Sequence, residues 1–292
     1  MSEERIVING QDLLIDSIRK KEKMFYDADS NEFVQKGDKK YLNEPLSPFF
    51  SSLVSIIEAF QPIESVIVGN MYLVMSSKSN LIAFHLSTFR KFFISDNYCN
   101  SFNLVADPKY KNIFYFVCEG TLFVSSIVDD NIYPKAIFKD VFSFDITPNF
   151  YYVKTSIMIN IIGRKLGEID NRKLGFDIDS CIVSSQEGFS LVCSKTMIPF
   201  KNDKYDFSES KVISGFFRNY PDPVLYIKYK LVFQNREYTL KHKPSHVLIY
   251  GSNILCMNMK WKLFDVISIS NEYPVFTEMN RDIQSLIENS SK

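Results

Sequence analysis

Glycine and proline are both scarce in this 292-residue chain, at 10 and 11 residues, and there is a single tryptophan, Trp261. No low-complexity tract and no Gly/Pro-rich linker divides the sequence, so an unstructured or fibrous chain is excluded. Three histidines leave little material for a His-based triad or a three-His metal centre. The five cysteines, Cys99, Cys118, Cys181, Cys193 and Cys256, are odd in number and widely spaced, without the C-x₂-C pairs of a zinc site. Cys118 and Cys193 sit inside the apolar runs YFVCEG and SLVCSK, where a free thiol behaves as a small hydrophobe. A reducing compartment follows, and the expected location is the cytoplasm or nucleus. Lys plus Arg and Asp plus Glu both number 34, so no whole-molecule field draws the chain to nucleic acid or an anionic membrane. The longest apolar run, residues 49–68, is broken by Glu58, Gln61, Pro62 and Glu64 and is too polar to span a bilayer. The first residues, MSEERIVING, lack the apolar core of a signal peptide. No membrane partner is expected.

What is abundant is aromatic: 26 Phe and 16 Tyr in a composition 46% hydrophobic. Aromatic and β-branched side chains suit a pleated, half-buried surface, which points to strands. RIVI and QDLL flank Asn9-Gly10, a strong hairpin signal, and KMFY and EFVQKG flank a polar turn at 27–31. Residues 5–37 therefore read as a four-stranded meander. One helix follows: Ser47 as N-cap, Pro48 at the first position, apolar residues at 49, 50, 53, 54, 56, 57 and 60, and a stop at Gln61-Pro62. A second helix is expected over residues 277–289, with Met279, Ile283, Leu286 and Ile287 as its apolar stripe.

Between the two helices a unit recurs: apolar strand, turn, aromatic strand, tight polar turn, apolar strand. It begins near Ser65, Phe102, Phe142 and Phe176, as in SVIVGNMYLVMSSKSNLIAFHL and FNLVADPKYKNIFYFVCEGTLFVSSI. This spacing resembles the blades of β-propellers, in particular the WD-repeat-like group. The Gly-His and Trp-Asp dipeptides of WD repeats are missing, and Trp261 precedes Lys262. The resemblance implies an all-β fold, a single propeller of about six or seven blades over residues 1–276. One helix (47–61) would be inserted after the first blade, and a helical tail would occupy 277–292. A pair of β-sandwiches would give similar alternation.

No enzyme motif emerges. Asp27-x-Asp29-x-Asn31 imitates a calcium loop, but its sixth and twelfth positions hold Glu32 and Asp38 instead of Gly and Glu. His242 and His246 are four apart but separated by Pro244. The run GRKLGEIDNRKLG has no GK[ST] ending for a phosphate loop, and Asp129/Asp130 and Asp177/Asp179 read as turn residues. No cofactor, metal or small-molecule ligand is expected. A propeller without catalytic residues implies a scaffold or adaptor subunit docking other proteins of a complex. The alternative is a nucleic-acid- or ribosome-associated factor. Its surface would be the strip Lys228, Lys230, Arg236, Lys241 and Lys243, interleaved with Tyr226, Tyr229, Phe233 and Tyr238 and opposed only by Glu237. Read as one strand, this strip would put Lys228 and Lys230 on one face. A second basic cluster, Arg19-Lys20-Lys21-Lys23, falls in an expected loop.

Overall fold

The computed structural model describes residues 5–8, 11–14, 24–27, 32–35 and 46–269, apart from 157, 165–168, 173–179, 187, 220–221, 241 and 261–262. Strands β1 (Arg5–Ile8) and β2 (Gln11–Leu14) form one antiparallel pair, and β3 (Met24–Asp27) and β4 (Glu32–Gln35) another. These are two separate sheets, so the expected four-stranded meander is corrected. The nine residues between the pairs, IDSIRKKEK, are far longer and more charged than a tight hairpin turn requires.

Helix α1 (Pro48–Phe60) begins and ends where the sequence places it. The Ser47 side chain accepts from the Phe50 N–H, Pro48 opens the first turn, and Gln61 closes the helix in the left-handed conformation at φ 44°. It stands before the first blade of the ring rather than after it.

Six sheets follow in chain order, each built by consecutive antiparallel strands. The first holds β5 (Glu64–Val68), β6 (Tyr72–Ser76), β7 (Leu81–His85) and β8 (Lys91–Ser95). The second holds β9 (Phe102–Ala106), β10 (Ile113–Cys118), β11 (Thr121–Val128) and β12 (Asn131–Phe138). The third holds β13 (Ser143–Ile146), β14 (Phe150–Lys154), β15 (Ile159–Gly163) and β16 (Ile169–Arg172). The fourth has β17 (Cys181–Ser185), β18 (Gly188–Cys193) and β19 (Thr196–Lys201), with β20 (Lys204–Tyr205) and β21 (Lys211–Val212) both on the outer edge of β19. The fifth holds β22 (Gly215–Phe217), β23 (Val224–Ile227), β24 (Lys230–Phe233) and β25 (Arg236–Thr239). The sixth has three strands among the described residues, β26 (His246–Tyr250), β27 (Asn253–Asn258) and β28 (Leu263–Ser268). The fourth repeat starts at Cys181, five residues later than the expected start near Phe176.

The first strands β5, β9, β13 and β17 lie side by side in turn, and β26 returns to β5, so the ring closes at six blades. The apolar cores sit between blades, not within them. Val74, Ala83, Phe114 and Phe116 join blades one and two, and Tyr115, Val117, Phe144 and Val153 join two and three. Every residue of β10, IFYFVC, is buried because neighbours cover both of its faces. Gly69, at φ +56°, lets blade one approach blade two so closely that a Cβ there would meet the Lys111 carbonyl oxygen at 1.9 Å.

Helix α1 lies across the seam between the last blade and the first. Phe50, Leu53, Val54 and Ile57 share one core with Leu73, Met75 and Phe84 of blade one and Leu248, Leu255 and Met257 of blade six. Phe49 stacks on Tyr250, with ring centroids 4.3 Å apart. A hydrogen bond crosses the same seam: the His246 Nε2–H donates to the Pro62 carbonyl at 2.9 Å. A carbonyl can only accept, which fixes the imidazole tautomer. Burial pushes the His246 pKa below its ordinary value.

A candidate binding cavity at the centre of the ring

The inner strands surround a cavity of about 430 Å³ to which all six blades contribute. Its wall is mostly apolar: Val66 and Ile67 from β5, Phe217 from β22, and Val247 and Ile249 from β26. Its mouth lies at the end of the ring formed by the turns after each first strand. Asn70, Pro108, Gln186, Asn219 and Gly251 all sit on such turns or connections. That volume falls in the range of about 300–1,000 Å³ typical of ligand sites.

Two carboxylates, one within and one just beyond an inner strand, line this cavity, and both are committed within the wall. Asp107, just beyond β9, accepts from the Lys109 and Tyr110 N–H groups at 2.8 and 3.0 Å and from the Tyr115 hydroxyl at 2.9 Å. It also meets Arg164 Nη2 at 2.7 Å, with both side chains almost wholly buried. Arg164 donates its other Nη to the Thr147 carbonyl at 3.1 Å and lies over the Tyr110 and Tyr151 rings. Burial and the neighbouring Asp107 charge hold the Tyr115 phenol well above its usual pKa.

Asp145, on β13, accepts from the Ile146 and Ser184 N–H groups at 2.9 and 2.8 Å, the second across the blade boundary. Burial raises its pKa above the usual carboxylate range, while Arg218 and the backbone donors pull the other way. Arg218 Nε stands 3.8 Å from Asp145 Oδ2, beyond hydrogen-bond distance, and is buried without a hydrogen-bond partner. Its Nη2 donates to the Ile182 carbonyl at 3.3 Å. The blade three–four boundary is further stitched by Ser143, which accepts from Ile182 N–H, and by Ser184, which donates to the Ile146 carbonyl.

The basic strip distributes differently from the single strand read in sequence. Residues 226–230 form a hairpin: β23 stops at Ile227, Lys228 turns at φ 54°, and β24 starts at Lys230. Lys228 therefore sits at one end of blade five, and Arg236, after the next turn, at the other. Lys230 pairs with Glu237 at 2.7 Å, both largely exposed. Lys243 is half-buried beyond β25, and Lys241 lies outside the described residues. Arg19 to Lys23, Asp29, Asn31, Asp177, Asp179, Met279, Ile283, Leu286 and Ile287 lie outside them too. His242 reaches Asp265 at 3.3 Å while His246 binds across the seam, so the two histidines serve separate contacts. Asp130 receives His85 at 2.6 Å and joins blade two to blade one. All five cysteines are free. Among the described residues, no group of three His, Cys, Asp or Glu side chains is placed to hold a metal, and no helix is long and apolar enough to cross a membrane.

Sequence reading missed Asp107, Asp145, Arg164 and Arg218. The one available signal was a charged residue within or directly after an apolar strand, as in FSFDI and FNLVAD.

No protein family and no curated protein matches the sequence. Solved structures do. The Cps50 (Swd1) β-propeller domain of Myceliophteria thermophila is 10% identical over 72% of this chain and 84% of its own, with a TM-score of 0.48. Hsv2 of Kluyveromyces lactis is 10% identical over 72% and 75%, with a TM-score of 0.43. Hydrazine synthase of Kuenenia stuttgartiensis is 11% identical over 72% and 96%, also at 0.43. These likenesses concern the fold alone. On its own strand order and ring closure, this chain is a six-bladed β-propeller.

Proposed function

We propose that the chain is a non-catalytic scaffold subunit that docks other proteins of an intracellular complex. The observation that carries this reading is the central cavity. It is a largely apolar recess inside a rigid ring, and its charged wall residues are already committed to structural contacts. Asp107 is held by backbone and arginine donors and Asp145 by backbone donors, which suits a fixed wall better than a proton-transfer pair. Five free thiols support placement in the cytoplasm or nucleus.

The test is affinity purification of the full chain from its native cells, with lysine cross-linking and mass spectrometry. A partner recovered in stoichiometric amounts, cross-linked to Lys109 or Lys111 beside the cavity mouth, is the expected result. A chain that purifies alone at native concentration overturns the reading.

A further inference from the structure

Two of the five free thiols meet where the chain crosses from blade one to blade two. Residues 96–101 make that crossing, between β8 and β9, at the end of the ring away from the cavity mouth. Hydrogen bonds tie the turn to blade one: the Asn100 N–H donates to the Ser77 carbonyl at 2.9 Å, and the Ser76 hydroxyl donates to the Ser101 carbonyl at 2.7 Å. Its hold on blade two is looser. The Tyr98 ring packs edge-on against Phe116 and Phe123, with centroids 5.3 Å away in each case. Beside it the Cys118 thiol, at the end of β10, donates to the Cys99 carbonyl at 3.6 Å. A thiol is a weak donor, so this contact contributes little as a hydrogen bond. What it does is set one sulfur against the main chain of a second cysteine, 19 residues away in sequence.

The two thiols differ in access. Cys118 is 6% exposed, whereas Cys99 is half-buried between the exposed Asn97 and Asn100. Burial pushes the Cys118 thiol up; the Ser101 hydroxyl opposes this, and the Glu119 charge and the Cys99 sulfur add to it. A Cys99 sulfur that acts on the ionisation of Cys118 lies near it in space. The other three thiols are set apart: Cys181 stands opposite Val192, which turns Cys193 to the other face of blade four, and Cys256 lies in the core between blades five and six. A disulfide joins residues whose Cα atoms are about 4.4–6.8 Å apart, and a turn outside the strand ladders can shift to meet that need where a paired strand cannot.

We propose that Cys99 and Cys118 are an oxidation site, closing a disulfide under peroxide that fastens the crossing between blades one and two onto blade two. The accessible Cys99 thiol reacts first: hydrogen peroxide converts it to a sulfenic acid and leaves as water. The Cys118 sulfur then attacks the Cys99 sulfur, and the hydroxyl departs with the Cys118 proton as a second water. In a reducing compartment both thiols are otherwise free, and thiol reductants reopen the bond. Neither residue lines the central cavity, so this pair and the scaffold reading are tested apart.

The test treats the full chain with hydrogen peroxide, caps the remaining thiols by alkylation and maps the cysteine peptides by mass spectrometry. The expected product is a link between Cys99 and Cys118 within one chain, reversed by dithiothreitol. Amides of residues 97–101 should then exchange at least about tenfold more slowly. Cys99→Ser and Cys118→Ser should each abolish the link and the slowing, and if Cys118→Ser does not fold, Cys99→Ser decides alone. Cys99 carried on to a sulfinic acid with no link, links shared with Cys181, Cys193 or Cys256, links between chains, or a link that forms only in urea each overturns the pairing. A link that leaves exchange at 97–101 unchanged overturns the fastening.

Discussion

Replacing Leu53 by Ala tests whether helix α1 holds the ring shut. Leu53 is wholly buried in a core drawn from the helix, blade one and blade six. A buried Leu→Ala change of this kind costs about 2–5 kcal/mol, and the upper half applies where surroundings cannot collapse into the gap. Here the gap is bounded by two blades whose inner strands are fixed by their own ladders, so about 3 kcal/mol is the working figure. For a chain of this size that corresponds to a fall of roughly 6–12 °C in melting temperature. Urea unfolding measures the loss directly, and hydrogen exchange shows where it falls. Amides of β26, β27, β5 and β6 should exchange faster, while β13, β14 and β15, across the ring, change least. Ser55→Ala, on the exposed face of the same helix, serves as the control and should stay within about 0.5 kcal/mol of wild type. A loss under about 1 kcal/mol for Leu53→Ala, or exchange that rises evenly around the ring, would refute the clamp.

Other outcomes follow from single contacts. The folded ring favours neutral His246, so the unfolded chain binds the proton first as pH falls below its ordinary value of about 6.5. Stability should therefore drop from that point down to the lower folded value, and His246→Gln should flatten the dependence of the urea midpoint between pH 7.5 and 5. Arg164→Met strands the buried Asp107 carboxylate and should cost about 3–5 kcal/mol, whereas adding Asp107→Asn should recover part of it, as a double-mutant cycle reads. Gly69→Ala forces a Cβ onto the Lys111 carbonyl in a left-handed backbone, and a melting curve should show at least about 1–3 kcal/mol lost. The Cys256 thiol is fully buried and pushed well above its ordinary pKa, so native alkylation should leave it unmodified while unfolding exposes it.

The parts of this molecule legible in sequence are the local ones. Ser47, Pro48 and Gln61-Pro62 mark α1 because capping chemistry acts over three or four residues. Strand alternation marks the blades, since each ladder pairs consecutive strands. The hairpin at Lys228 was harder: VLYIKYKLVF carries no Gly, Asn or Pro at its turn, and only the positive φ of Lys228 reveals it. The cavity and the seam were not legible at all. Arg164 meets Asp107 from 57 residues away and His246 meets Pro62 from 184, and nothing in the local pattern encodes such meetings. The same holds for the helix, whose apolar face announced burial but not the two blades that cover it.

The seam also sets an order of events at the ribosome. Helix α1 emerges with blade one, but Leu248, Leu255 and Met257, which complete its core, follow some 190 residues later. At about 5–20 residues per second, the apolar face of the helix waits roughly 10–40 s for the last blade. During that interval Phe50, Leu53 and Ile57 have only half of their covering. The nascent chain is then a string of finished blades behind an unfinished closure, the stage at which a chaperone has an apolar helix to hold.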